Sequence, residues 1–575
     1  MNSFLSCKVT ILPQWHGTKT TRGRPVLPQF LILSKVDDLQ EINKRRSAHY
    51  HPSIWDLKHI ESLSTPYTYG THGTQLEKLK KEAKRLITSS GDHRTTLKLI
   101  DLMERLGVDY HFEEEIMEIL GSSLIHHLDF PKDLYSTALR FRLLRKHGYP
   151  VSSDVFEEFR DGEGRFMHCL SHDLESILSL HEASYLATQE DNLEEAKKFS
   201  TKHLKSLVGT LNASALAKQV QQLLEIPSHW RMHRVEARNF IDAYERDDRK
   251  NLVLLKLAML DYNVLQSVYQ REVKELARWW RDLGFKDKLR FSRDRLMENY
   301  LWAVGISYKP QFSKCRVGLT KFICILTAID DMYDVYGSLE ELERFTDAVN
   351  RWDSKALEQL PEYMKLCYLA LFNFGNEMAY VALRDHGLSI LPAIKDEWAN
   401  LCRSYLVEAR WFYKGYRPTT AEYLANAWVS VGGPAAMFHA YILQDCTKTE
   451  DLDNVFKQAS ALIYWASLIG RLCDDLGTSE AEMRRGDTAK SIQCYMSEEG
   501  LSEKDARERV KDQVELSWKR LNEESGRTSL PRSLIDMSVN MARAAHCIFR
   551  HGDGIGTSHG YTRDVLISLI IEPIQ

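Results

Sequence analysis

From about residue 56 onward, apolar positions recur at helical spacing almost everywhere. In "LLKLAMLDYNVLQSV", Leu257, Leu260, Val264 and Val268 follow one another at steps of three, four and four, a single helical stripe. "SSDVFEEF" supplies Asp154 as an expected N-cap, with Glu157 three residues on as its capping-box partner. Breakers such as "HGYP" (147–150) divide the segments into helical hairpins. There is no sustained period-two alternation and no Asn-Gly hairpin turn. The pattern predicts an all-α protein. A polar stretch, "YERDDRKN" (244–251), interrupts the apolar periodicity and is the best linker candidate before residue 300. It divides the chain into residues 45–250 and 251–575, after an N-terminal tail of residues 1–44.

Composition narrows the class. A chain of 575 residues is too long for one core, and 43% hydrophobic with 27% charged residues is ordinary for a globular protein. The net charge of −4 leaves no basic footprint for nucleic acid and no polybasic membrane patch. No run approaches the roughly 18 apolar residues of a membrane span. Ten scattered cysteines form no CxxC pair and predict free thiols in a reducing compartment. The sequon at Asn212-Ala213-Ser214 reads as chance. Residues 1–36 contain no Asp or Glu, yet carry Lys8, Lys19, Arg22, Arg24 and Lys35 among Ser, Thr and Pro. That is the composition of an organelle transit peptide.

Two acidic sets carry the candidate chemistry. In "AIDDMYDVYG", Asp330 and Asp334 would sit one helical turn apart with Asp331 adjacent, following the apolar run "FICILTAI". An isolated acid cluster is usually a solvated face, but this one is too apolar at its flank for that. In "RLCDDLGTSEAEMRRGD", Asp474, Thr478 and Glu482 recur every four residues, over roughly 12 Å of helix. Clustered carboxylates and hydroxyls are hard oxygen ligands suited to Mg²⁺ or Mn²⁺. Mg²⁺ keeps waters and shares itself with substrate phosphates, so such clusters point to a metal that holds a phosphate. Asp475 stands beside the second set as support rather than ligand. Arg293, Arg295 and Arg471 add guanidinium forks that grip phosphate oxygens bidentately. Two metal sites and three arginines suit a diphosphate.

These residues resemble the class I terpene synthases. Asp330-Asp-Met-Tyr-Asp334 is similar to their DDxxD motif, and Asp474 to Glu482 to their second metal motif, (N/D)Dxx(S/T)xxxE. Arg293-Asp-Arg295 stands in the place of the family's RxR. "RRSAHYHPSIW" (45–55) is similar to the RRx8W motif of plant monoterpene synthases, through Arg45, Arg46 and Trp55. The resemblance implies an N-terminal α-barrel and a larger C-terminal class I fold. It implies that Asp330, Asp331, Asp334, Asp474, Thr478 and Glu482 hold Mg²⁺, commonly three ions. Arg293, Arg295 and Arg471, together with Asp330, Asp334 and Asp474 through the metal, would hold the diphosphate. It further implies geranyl diphosphate as substrate, isomerisation helped by Arg45 and Arg46, a plastid location and a monomer. Trp302 matches the family's pocket aromatic, and Gly432-Gly433-Pro434 resembles the kinked helix that shapes the cavity. Asp553 matches an acidic lid residue, but Ile555 stands where some members have tyrosine, which puts a tyrosine-assisted final deprotonation in doubt.

The chemistry asked of these residues is consistent. Breaking an allylic carbon–oxygen bond needs charge neutralisation on the leaving diphosphate, and the carbocation needs a dry pocket with aromatic faces. Gly556-Thr-Ser558-His-Gly560 fits the hydrolase pattern GxSxG, but that motif requires a strand before it, and none is expected. A sesquiterpene synthase acting on farnesyl diphosphate is the nearest rival reading, against which stand the transit-like tail and RRx8W. A chain-elongating prenyltransferase lacks its second DDxxD here, and a class II cyclase its DxDD. A non-catalytic helical binding protein is the rival of a different class.

Overall fold

Helices occupy the stretches that the periodicity assigns to them. The computed structural model describes residues 45–575 except 90–91, 126–131, 211–214, 445–451, 528 and 558–559. The N-terminal tail, the Asn212 sequon and Ser558 of the GxSxG pattern therefore lie outside the described residues. Among the described residues there is no β-strand, only an isolated bridge between Arg160 and Phe166. No helix among them is long and apolar enough to cross a membrane.

Ser47–Gln575 form one compact unit, and Arg45 and Arg46 fall outside it. The expected linker is a connector between helix His233–Tyr244 and helix Leu252–Leu283, inside that unit. The expected cap at Asp154 is corrected. Ser152 is the N-cap, its side chain accepting from the Asp154 N–H at 3.2 Å, and Ser153–Phe159 is a 3₁₀ segment rather than an α-helix. Two buried rings, Phe156 and Phe159, hold it down, and Glu157 turns to Arg160 instead of closing a capping box.

Eight of the helices in the C-terminal half are numbered in chain order: α1 Leu252–Leu283, α2 Leu296–Ile306, α3 Ser313–Asp331, α4 Leu391–Lys414, α5 Thr420–Ser430, α6 Gly433–Leu443, α7 Ser460–Arg485 and α8 Arg532–Phe549. On α1 the predicted stripe faces inward, with Leu257, Leu260 and Val264 buried and Val268 partly so. Helix α3 is apolar around most of its girth, burying Phe322, Cys324, Ile325, Ala328 and Ile329. A helix of that kind needs cover on several sides, and α2, α6 and α1 pack against it. Its place is fixed by a fully buried fork: Arg316 on α3 meets Glu272 on α1 at 2.7 and 2.9 Å, and the Tyr300 hydroxyl of α2 donates to the same carboxylate at 2.6 Å. Breaking one side of such a pair costs roughly 3–5 kcal/mol, because the other charge is left buried. The helix that carries the first acidic set is thereby pinned from behind. All eight cysteines among the described residues are free thiols, as expected.

Candidate active site

The α-helical hydrogen bonding of α3 ends at Asp331, and Met332–Tyr336 continue as a π-helical turn closed by the Gly337 N–H donating to the Met332 carbonyl at 2.8 Å. Single π turns inside helices cluster at functional sites. Asp330 thus lies just before a widened turn and Asp334 within it, not one regular turn apart as the spacing suggests. Ser338 then starts the next helix with a capping box to Glu341.

The three aspartates are not equivalent. Asp331 is fully buried, accepting from the Arg293 backbone N–H at 2.7 Å and the Ser292 hydroxyl at 3.2 Å, with Arg293 Nε 2.8 Å away. Asp330 is partly exposed and takes the other end of the same guanidinium at 2.6 Å. Burial, followed by the neighbouring Asp330, holds the Asp334 carboxyl well above the ordinary range. Burial also raises Asp331, with Arg293 opposing it.

Helix α7 repeats this arrangement. Asp475 is fully buried and fully used: Tyr423 Oη donates at 2.9 Å, the Ser491 N–H at 3.1 Å, and Arg471 Nε lies at 2.8 Å. Arg471 also grips Asp474. Thr478 donates back to the Asp474 carbonyl at 2.9 Å, which keeps its hydroxyl lone pairs available. Glu482 Oε2 is buried without a hydrogen-bond partner, and burial raises its carboxyl above the usual range against the pull of Lys490 and Arg471.

Two residues that the spacing did not flag join the acidic sets. Lys490 is buried, 3.2 Å from Glu408. Burial alone would favour its neutral amine, but Glu408, Glu482, Tyr423 and Asp334 hold it firmly charged. It is thus in the field of both acidic sets. Tyr50 lies inside the x8 of the RRx8W stretch. Its ring sits beneath Arg293 Cζ at 5.2 Å and Arg485 Cζ at 5.8 Å, in the field of Asp331. No spacing rule marks a buried lysine eight residues past a motif, or one tyrosine within a variable run.

Arg295 is placed differently from expectation. It is fully buried, and its guanidinium donates to four backbone carbonyls: Ile555 (2.7 Å), Gly556 (2.7 Å), His51 (2.7 Å) and Asp294 (2.9 Å). Trp302 is half-buried on α2, its ring 6.1 Å from that of Phe549 on α8. The Gly432-Gly433-Pro434 break lies between α5 and α6, as expected, with Gly432 in the left-handed region at φ 80°. A Cβ on Gly433 would fall 2.2 Å from Ser467 Oγ of α7, so glycine is what lets the helices approach there.

Among the described residues, no three carboxylates or imidazoles converge tightly enough to form a closed metal cage. An open site fits Mg²⁺, which keeps waters and takes its remaining ligands from phosphate. The orphaned Glu482 oxygen and the mutual repulsion of Asp330 and Asp334 are features that a divalent cation would relieve. Asp330, Asp334, Asp474, Thr478 and Glu482 therefore fit divalent cations.

Comparison with known proteins identifies the family. The model of the "Terpene synthase, N-terminal domain" matches residues 54–224, and that of the "Terpene synthase family, metal binding domain" residues 281–520. Trans-ocimene synthase of Litsea cubeba, named as chloroplastic, is 53% identical over 99% of this chain and 99% of its own. Limonene synthase, solved with 2-fluorolinalyl diphosphate, superposes with a TM-score of 0.89 at 40% identity, over 92% of this chain and 100% of that one. Isoprene synthase from grey poplar, solved with three Mg²⁺ ions and dimethylallyl-S-thiolodiphosphate, gives 0.83 at 42% identity, over 91% and 99%. The chain belongs to the terpene synthase family.

Proposed function

We propose that this chain is a monoterpene synthase, a carbon–oxygen lyase that ionises geranyl diphosphate and converts the resulting cation to a monoterpene hydrocarbon or alcohol. The observation that supports this is that Asp334 and Glu482, from separate acidic sets, both act on the charge of one buried lysine, Lys490. Relatives at 41–56% identity include enzymes named for ocimene, terpineol, myrcene and geraniol. The isoprene synthase structure with three Mg²⁺ ions supports a similar number here. A plastid location rests on relatives named chloroplastic. The protein is read as a monomer that binds neither nucleic acid nor membrane.

Asp330, Asp334, Asp474, Thr478 and Glu482 would hold the metal, which supplies charge neutralisation to the departing diphosphate. Asp331 and Asp475, both buried and spent on Arg293 and Arg471, orient those guanidiniums instead. Arg293, Arg471 and Lys490 supply the protein's own positive charge to the leaving group. As the allylic C–O bond breaks, its electron pair leaves with the diphosphate and the positive charge spreads over the allyl group. Trp302 presents an aromatic face that can stabilise the cation without attacking it. Arg45 and Arg46 are assigned to the isomerisation that precedes ring closure. With Ile555 where a tyrosine could have stood, the diphosphate itself takes the final proton.

The test is release of inorganic diphosphate from geranyl diphosphate by the folded chain. Release should require added Mg²⁺ or Mn²⁺, stop with EDTA and resume when excess metal is restored. No release at saturating metal would sink the enzyme reading.

A further inference from the structure

Three contacts, regularly placed, attach the N-terminal stretch to the segment carrying Arg293 and Arg295. Trp55 Nε1 donates to Glu298 at 2.8 Å, the His51 carbonyl accepts from Arg295 at 2.7 Å, and the Tyr50 ring lies against the Arg293 guanidinium at 5.2 Å. Residues 50, 51 and 55 thus meet 293, 295 and 298 in order. The same Arg295 guanidinium receives a second segment through the carbonyls of Ile555 and Gly556. That segment is shaped for the purpose. Asp553 accepts from the Ile555 and Gly556 N–H groups at 3.1 and 2.6 Å, turning their carbonyls toward the arginine. A Cβ on Gly554 would lie 2.1 Å from the Ile548 carbonyl oxygen, and one on Gly556 2.0 Å from Asp553 Oδ2, so neither position has room for a side chain.

We propose that Arg295 is a positioning residue: it clasps the 50–55 stretch and the 553–556 turn together beside the metal site, rather than binding diphosphate. Four of its five N–H donors are spent on main-chain carbonyls and the group is fully buried, so it cannot grip a phosphate oxygen pair bidentately without opening the clasp. Backbone carbonyls are acceptors only, so a permanently charged fork satisfies both segments at once with no dependence on their side chains. Tyr50 is carried by the same clasp onto Arg293, so holding the stretch also sets the arginine that does face the acids. The consequence is control of water. If the stretch opens, water reaches the allylic cation, adds through oxygen and loses a proton, giving an acyclic ten-carbon alcohol.

This inference rests on the prenyl diphosphate reading above, and the experiment separates the two. Arg295→Gln and, as a milder variant, Trp55→Phe would be compared with the intact chain. The readouts are backbone hydrogen exchange over residues 47–56, inhibition by inorganic diphosphate with Mg²⁺, and the alcohol-to-hydrocarbon ratio from geranyl diphosphate. The clasp predicts faster exchange over 47–56 and a roughly tenfold higher alcohol ratio. It predicts that the inhibition constant for diphosphate stays within about twofold, less than the loss of a charged contact would cause. A roughly tenfold weaker inhibition with unchanged exchange would make Arg295 a diphosphate ligand and overturn the clasp. Should Arg295→Gln fail to fold, Trp55→Phe decides: faster exchange and more alcohol support the clasp, and no change in either refutes it. An intact chain that binds no diphosphate in the presence of Mg²⁺ would instead overturn the underlying reading, while the exchange comparison would still report on the clasp.

Discussion

Adjacent aspartates with different duties are the residue-scale logic of this site. In each acidic set the first Asp, Asp330 or Asp474, stays partly exposed, while the second, Asp331 or Asp475, is fully buried on an arginine. Substitution should separate the two. Asp330→Ala should lower turnover by at least about a hundredfold, through loss of charge stabilisation at the leaving group, with unchanged helical content by circular dichroism. Asp475→Asn should act first on stability, lowering it by roughly 3 kcal/mol in denaturant titration, since Arg471 and Tyr423 lose their shared partner. Wild-type turnover in the first variant at saturating Mg²⁺, or wild-type stability in the second, would reverse these assignments. The residue types and their spacing were legible in the sequence, as was the supporting duty of Asp475. The same duty for Asp331 was not, because it follows from the backbone N–H of Arg293 arriving from another segment. Lys490 and Arg295 were hidden for the same reason. One reaches both acidic sets, and the other is consumed by carbonyls, only once distant segments are packed.

At the scale of elements, two irregularities in helices do the positioning. The π turn at Met332–Tyr336 sets the aim of Asp334, and the break at Gly432–Gly433 lets α6 approach α7. The break was legible, since two glycines and a proline cannot continue a helix. The π turn was not, because its residues, Met-Tyr-Asp-Val-Tyr, would equally continue an α-helix, and burial of Met332, Tyr333 and Val335 chooses the wider turn. Gly433→Ala tests the first device. Its Cβ would meet Ser467, so α6 and α7 must shift apart, at a cost of roughly 1–3 kcal/mol by overpacking. The thermal midpoint should fall, and replacing Ser467 by glycine in the same chain should recover part of the loss. An unchanged midpoint would mean that the helices have slack at this point.

Across the whole molecule, the predicted all-α class holds, and what the pattern could not reveal is how the halves are bonded to each other. Trp230, from the N-terminal half, stacks on Trp518 at 5.3 Å and on His546 at 5.1 Å, and His546 Nε2 accepts from Trp518 Nε1 at 2.9 Å. His546 is therefore needed neutral, and burial pushes it down to about 4. Burial does the same to His439, packed among Phe322, Phe374 and Trp398, and to His181 in the N-terminal half, each at about 4. Unfolding returns all three to the ordinary histidine value near 6.5, so between about pH 6.5 and 4 the unfolded chain binds more protons. Stability is therefore complete above this window and falls as pH drops through it. At pH 5 each histidine should subtract about 2 kcal/mol, which a denaturant midpoint measured at pH 7 and pH 5 would register. A midpoint that is flat over that range would mean that these imidazoles are not buried neutral.

The central claim is that two acidic sets and their buried cations ionise a ten-carbon prenyl diphosphate. It is tested most directly by incubating the chain with geranyl and with farnesyl diphosphate, each with Mg²⁺ and each with EDTA, and resolving the volatile products by gas chromatography. The account predicts monoterpene products from geranyl diphosphate, dependent on Mg²⁺ and absent with EDTA, and little or nothing from farnesyl diphosphate. Efficient conversion of the fifteen-carbon substrate with none of the ten-carbon one would contradict it.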